Sequence, residues 1–221
     1  MPLTVFIADD HGIIRDGISA LLNNESDIEV IGVAEHGRLA VELILKLKPD
    51  LVLMDVSMPE LNGIEATRQL IAAVPTLRIL ALSTYSDHRY VSEMLHAGAA
   101  GYILKDGVFD ELLFAIRSVE RGQSYLSPPV AHIVLSDYRK GITGDIQSQD
   151  KEIKPILTKR EHEVLQLLAE GKTMKDIANS LFISTKTVET HRKKISDKLG
   201  IKSIIDLTKY AIREGITSVF K

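Results

Sequence analysis

Asp9-Asp10, Asp55, Ser83-Thr84 and Lys105 are the residues of this sequence best suited to act together in chemistry. Each follows a short apolar run. If those runs are parallel strands, their carboxyl ends share one rim, where ligands bind in open α/β sheets. Three carboxylates, two hydroxyls and one ammonium then converge. Unless some are protonated, crowded carboxylates favour a hard divalent cation such as Mg2+, bound through oxygen. A metal neutralises incoming charge, so that a carboxylate can act as nucleophile towards a phosphoryl group. Lys105 and Ser83 can hold the phosphoryl oxygens. The expected product is an acyl phosphate on one Asp, a reaction that needs positioning and charge neutralisation above all.

A second constellation lies near the other end. In a helix from Ser184 to Leu199, Val188, Ile195 and Leu199 form an inward stripe. Lys186, Glu189, Thr190, Lys193 and Asp197 lie opposite. Such a polar stripe on the second helix of a helix-turn-helix enters the major groove of DNA. Lys193 can donate to guanine, Glu189 can accept from cytosine N4, and the Thr190 methyl can touch thymine. Thr173, Thr185, Lys186, Thr187, Arg192 and Lys194 lie nearer the edges and suit phosphates.

The elements that must position these residues are legible as periodicity. Thr4 to Ala8, Ile28 to Val33, Leu51 to Met54, Ile79 to Leu82 and Tyr102 to Leu104 read as five buried strands. Helical spacing fills the intervals, as in Ile14, Ile18, Leu21 and Leu22, or Leu39, Leu43 and Leu47. Strand–helix units in series predict a doubly wound, flavodoxin-like parallel sheet with helices on both faces. Pro128 to Tyr138 suits one short helix, with Pro129 tolerated in its first turn. Gly141 to Lys154 lacks periodicity and reads as linker. From Leu157 on, only helical signals appear. Thr158 and Glu161 make a capping box, Thr173, Ser184 and Ser203 can cap three further helices, and Gly171 and Gly200 are stops. The expected organisation is an α/β domain over residues 1–121, a linker over 122–155, and a small four-helix, all-α domain over 156–221.

Charge separates the ends. Residues 1–122 carry 10 basic and 18 acidic side chains, whereas residues 156–221 carry 13 and 8. The basic end is the candidate for nucleic acid. The absence of cysteine excludes disulfides, thiolate metal sites and a thiol nucleophile. Met1 to Asp10 reaches charge too soon for a signal peptide, and no apolar run approaches the roughly 18–20 residues of a membrane helix. A cytoplasmic protein without membrane contact is expected.

Residues 1–121 resemble a response-regulator receiver domain. The resemblance is carried by Asp9-Asp10, by Asp55-Val56-Ser57-Met58-Pro59 with Asn62-Gly63, by Ser83-Thr84, and by Gly101-Tyr102 ahead of Lys105. It implies Asp55 as phosphoacceptor. Mg2+ would be held by Asp9, Asp10, Asp55 and the Ser57 carbonyl. Ser83, directly after Ile79 to Leu82, would be the switch hydroxyl. Tyr102 would turn inward with the phosphate, and Lys105 would contact it. His11 fits this family too, but reads first as an ordinary loop histidine. Tyr85 and His88 either tune phosphate lifetime or are surface residues. Residues 157–215 resemble a LuxR-type helix-turn-helix through Leu157 to Glu161, Val164-Leu165, Glu170-Gly171, Ile177-Ala178 and Thr185 to His191. The domain order is that of the NarL/FixJ group of transcriptional regulators. The resemblance implies a sensor histidine kinase, duplex DNA, RNA polymerase and a second copy as partners. Before activation the acidic receiver could hold the basic domain closed; equally, a homodimer on activation would use helices 1 and 5 of the receiver, with the last helix, Ser203 to Glu214, as the dimer contact of the DNA-binding domains.

Three rivals remain at this point. A carboxylate-nucleophile phosphohydrolase needs a general acid two residues after Asp55, where this chain has Ser57. A phosphorelay adaptor would leave the basic helices off DNA. A phosphorylation-independent regulator would have no use for the three acids.

Overall fold

In a computed structural model, residues 1–142 and 157–217 are described. Residues 143–156, which include most of the Gly141 to Lys154 stretch expected as linker, lie outside the described residues. The chain forms two compact units, Met1–Gln147 and Ser148–Lys221.

In the first unit, strands and helices alternate. The order is β1 (Leu3–Ala8), α1 (Gly12–Asn23), β2 (Ile28–Ala34), α2 (Gly37–Leu47), β3 (Leu51–Asp55), α3 (Gly63–Ala73), β4 (Arg78–Ser83), α4 (His88–His96), β5 (Gly101–Leu104), α5 (Val108–Glu120), β6 (Tyr125–Leu126) and α6 (Pro128–Ile142). The strands lie in the order β2-β1-β3-β4-β5-β6, and every pairing is parallel. Side chains alternate across the sheet because a strand repeats every second residue. Val5, Ile7, Leu51 and Leu53 enter a core shared with α1 and α5. Phe6, Ala8, Val52 and Met54 enter the opposite core, shared with α2, α3 and α4. Burial on both faces is why these strands read as unbroken apolar runs.

The sheet has six strands where five were expected. The additional strand, β6, pairs Tyr125 with Gly101 and Leu126 with Tyr102. Two residues are too few to show a period, so the sequence signal is absent. The helix expected over Pro128 to Tyr138 runs further, to Ile142. Its Val130 is fully buried in the core beside α4, and Val134 packs against the same core.

The second unit contains α7 (Lys159–Ala169), α8 (Met174–Ser180), α9 (Thr185–Leu199) and α10 (Ile204–Arg213). Caps set these boundaries. Thr158 with Glu161 and Thr173 with Asp176 each form a reciprocal capping box. Ser184 and Ser203 cap α9 and α10, and Gly200 ends α9 at φ 69°. Leu165, Ile177, Val188, Ile195 and Leu207 meet in one core. Lys198 Nζ lies 2.6 Å from Glu161 Oε2 and ties α9 to α7. Among the described residues, no helix is long and apolar enough to cross a membrane.

Candidate functional site

The carboxyl ends of the strands carry the expected polar residues. Asp9 directly follows β1, and its N–H donates to the Ala34 carbonyl at 3.0 Å. Asp55 closes β3 and Ser83 closes β4, both buried. Lys105 directly follows β5, and its N–H donates to the Ser83 carbonyl at 2.8 Å. Sheet hydrogen bonding therefore holds residues distant in sequence on one rim.

Lys105 Nζ bridges the acids, 2.9 Å from Asp9 Oδ2 and 2.8 Å from Asp55 Oδ2. Burial pushes the Asp55 carboxyl up; Lys105 opposes this and Asp9 adds to it, leaving the group pushed up to about 7. Burial alone would lower the Lys105 pKa, but Asp55 and Asp9 outweigh it and hold the ammonium above its ordinary range. The rim thus holds more negative charge than one ammonium offsets.

Asp9, Asp10, His11 and Asp55 offer ligand atoms that all lie within 4.8 Å of one another. Three carboxylates in that span fit a hard divalent cation such as Mg2+. The Ser57 N–H donates to Asp55 Oδ1 at 3.3 Å, which puts this residue beside the acids. His11, which the sequence left between a family role and an ordinary loop histidine, lies among these acids. Its Nδ1 lies 2.8 Å from Asp10 Oδ1 and 3.3 Å from Asp9 Oδ1. The only sequence signal was its adjacency to the acid pair.

Ser83 Oγ accepts from the Tyr85 N–H at 3.0 Å. Thr84, the alternative hydroxyl, is exposed. Tyr102 was expected to turn inward upon phosphorylation, yet its ring is already fully buried. The phenol donates to the Tyr85 carbonyl at 2.8 Å, and burial pushes its pKa well above the usual range. Tyr85 in turn stacks on Tyr90 of α4, with ring centroids 4.7 Å apart. The inward ring is stable here because its one polar atom has a carbonyl partner.

On the second unit, Thr185, Lys186, Glu189, Thr190, Lys193 and Lys194 are exposed, while Thr187 and Arg192 are half-buried. Val188 and Ile195 face the core. Some hydroxyls are already engaged. Thr190 Oγ1 donates to the Lys186 carbonyl at 2.9 Å, Thr187 and Ser184 hydroxyls lie 2.8 Å apart, and Thr173 Oγ1 donates to Asp176 at 2.6 Å. A surface groove brings Glu189, Arg192 and Lys193 together with Met174 and Lys202. Lys202 was missed because it follows Gly200, outside the period of the helix.

Residues 5–117 match the response regulator receiver domain family. Residues 155–211 match the family of bacterial regulatory proteins of the luxR type. The chain is a response regulator of the NarL/FixJ type. The regulator is 38% identical to the transcriptional regulatory protein DegU of Brevibacillus brevis, across 98% of this chain and 96% of DegU. It is also 38% identical to the oxygen regulatory protein NreC of Staphylococcus carnosus, across 97% and 99% of the two chains. Among solved structures, the regulator is similar to RcsB of Salmonella typhimurium, with TM-score 0.58, 29% identity and 95% and 97% coverage. An RcsB–DNA complex matches with TM-score 0.59, 27% identity and 97% and 99% coverage. The regulator therefore combines a receiver with a LuxR-type DNA-binding domain and acts in transcription.

Proposed function

We propose that Asp55 of the regulator receives a phosphoryl group from a sensor histidine kinase in the cytoplasm, and that this controls sequence-specific DNA binding through α9. The observation that carries the reading is the buried Lys105 ammonium held between Asp9 and Asp55. A carboxylate nucleophile, a cation for phosphoryl oxygens and a metal-competent acid cluster then share one rim.

In this reading an Asp55 oxygen attacks the phosphorus of a phosphohistidine. The P–O bond forms as the P–N bond breaks, and the leaving imidazole takes up a proton. Lys105 and Ser83 donate to the phosphoryl oxygens. Asp9, Asp10, Asp55 and the Ser57 carbonyl would hold Mg2+, which supplies charge neutralisation when bound. Recruiting the Ser83 hydroxyl to phosphate competes with its bond to the Tyr85 N–H. Tyr85 also accepts from Tyr102 and stacks on α4, so the loop after β4 is the route by which the phosphate alters the α4–β5 face.

Downstream, Lys193, Glu189 and Thr190 would read bases, while Thr173, Thr185, Lys186, Thr187, Arg192 and Lys194 would contact phosphates. A homodimer on activation suits half-site recognition, and RNA polymerase is the further partner. RcsB dimers on DNA among the structural relatives support this reading.

Incubation with radiolabelled acetyl phosphate and Mg2+ tests the acceptor. The wild-type chain incorporates label and Asp55→Asn does not; label in that variant would place the acceptor elsewhere. Salt-dependent binding to duplex DNA separates the regulator from an adaptor, because phosphate contacts release counterions.

A further inference from the structure

Phe182, in the turn between α8 and α9, is the most exposed aromatic among the described residues, at 94%. Its backbone lies at φ +52°, in the left-handed region that favours Gly or Asn and is uncommon for a bulky residue. The turn around it is fixed. The Phe182 N–H donates to Asn179 at 3.2 Å, and the Ile183 N–H donates to Ala178 at 3.0 Å. Leu181 before it is buried, and Arg160 donates to the Leu181 carbonyl at 2.5 Å. Ile183 after it packs on the same core, whereas Phe182 belongs to no core cluster.

The two hydrogen bonds close α8 as a Schellman-type cap and offset the left-handed backbone, so the exposed ring is the cost without return inside the unit. A whole phenyl ring faces water. A ring this exposed on a turn fixed by hydrogen bonds, just ahead of α9, points to an external partner. Phe182 stands two residues before Ser184, the cap of α9, and three and four before the exposed Thr185 and Lys186. A partner that reaches it also meets the start of α9.

We propose that Phe182 packs its ring against a deoxyribose of the DNA strand flanking the bases read by α9. This rests on the reading of α9 as the recognition helix. The apolar part of a duplex backbone is its sugar, and the cations nearby draw in phosphates on either side. Sugar and phosphate contacts fix register and orientation without reading sequence. Phe182 is thus a positioning contact that acts equally on all sequences.

The test uses the full-length chain with Mg2+ and beryllofluoride, and a duplex selected by the wild-type chain from a random pool. Phe182→Asn and Phe182→Gly suit the left-handed backbone, so thermal midpoints stay level or rise. Both variants are expected to weaken the selected duplex and a scrambled duplex by the same factor, about five- to tenfold. The salt dependence of binding stays unchanged, because no charge is removed. Lys193→Ala, measured in parallel, weakens the selected duplex more than the scrambled one. Unchanged affinity in the Phe182 variants, with loss in Lys193→Ala, overturns the Phe182 contact alone. Unchanged affinity in Lys193→Ala overturns the reading of α9. A fall in the thermal midpoint of the Phe182 variants shows a structural role and overturns the proposal. So does intact DNA binding with lost transcription in vitro, which assigns the ring to polymerase.

Discussion

The Ser127 hydroxyl donates a 2.6 Å hydrogen bond to Glu111 Oε2 and joins α5 to the residue that opens α6. Ser127 also takes part in two bonds to β5. Its N–H donates to the Tyr102 carbonyl at 2.9 Å, and its Oγ accepts from the Leu104 N–H at 3.2 Å. The Tyr125 hydroxyl donates to the same Glu111 oxygen at 3.0 Å. One carboxylate thus holds both ends of the β6 segment against the strand that carries Tyr102.

Glu111→Ala removes the acceptor for both hydroxyls while Ser127 stays buried. The receiver is expected to lose about 1–3 kcal/mol, the cost of stranding buried polar groups. Burial, reinforced by Glu111, pushes the Tyr125 phenol up to about 12, and the variant should bring it down. Urea unfolding followed by far-UV circular dichroism measures the first effect, and tyrosinate absorbance measures the second. An unchanged first transition would show that the clamp contributes nothing.

The Asp55 carboxyl is pushed up to about 7, chiefly by burial. A folded-state pKa above the ordinary carboxylate value favours the folded state at low pH, and this contribution is lost as pH rises through about 7. Without Mg2+, Asp55→Asn should therefore raise the receiver's thermal midpoint at pH 8 by about 2–5 °C, with the difference narrowing at pH 5. Differential scanning calorimetry at both values checks the sign. A larger gain at pH 5 would contradict it. If Asp55 ligates Mg2+ as proposed, binding should strengthen between pH 6 and pH 8.

Gly63 opens α3, and a Cβ there would lie 1.9 Å from the Asp55 carbonyl oxygen. No side chain fits without moving the backbone of Asp55. Gly63→Ala is expected to cost about 1–3 kcal/mol by overpacking and to slow phosphorylation from acetyl phosphate at least several-fold. Wild-type rates in a destabilised variant would show that the proposed acceptor is insulated from this backbone.

In the DNA-binding domain, Glu161 caps α7 and meets Lys198 of α9. Burial works to raise its pKa, but hydrogen bonds from Lys198 and Thr158 outweigh it and hold the carboxyl below its ordinary value. The resulting stability is present above about pH 4.5 and lost as pH falls. Glu161→Gln should lower the second unit's stability at pH 7 by about 1–2 kcal/mol, discounted for the partly exposed ammonium, and by much less at pH 3. Unfolding at the two pH values distinguishes this from a pH-independent packing loss.

Much of this molecule could be read without coordinates. Apolar runs such as Leu51 to Met54 announced a buried strand, and Asp55 at the end of one announced a rim. Caps at Thr158, Thr173, Ser184 and Ser203 announced four helix starts, because a short polar side chain before an apolar period satisfies free amides wherever it occurs. These are local signals, and local chemistry is written in local sequence.

Tertiary structure decided what depends on distant partners. The 2.8 Å approach of Lys105 to Asp55 comes from the parallel order of β3, β4 and β5. β6 exists because Tyr125 and Leu126 find an edge on β5, not because two residues have strand character. Tyr102 is inward because the Tyr85 carbonyl is within reach. Asp55 is the residue where the two meet. Its carboxylate and its place at a strand end were written in the chain, while its burial and its raised pKa come from neighbours that only folding brings beside it.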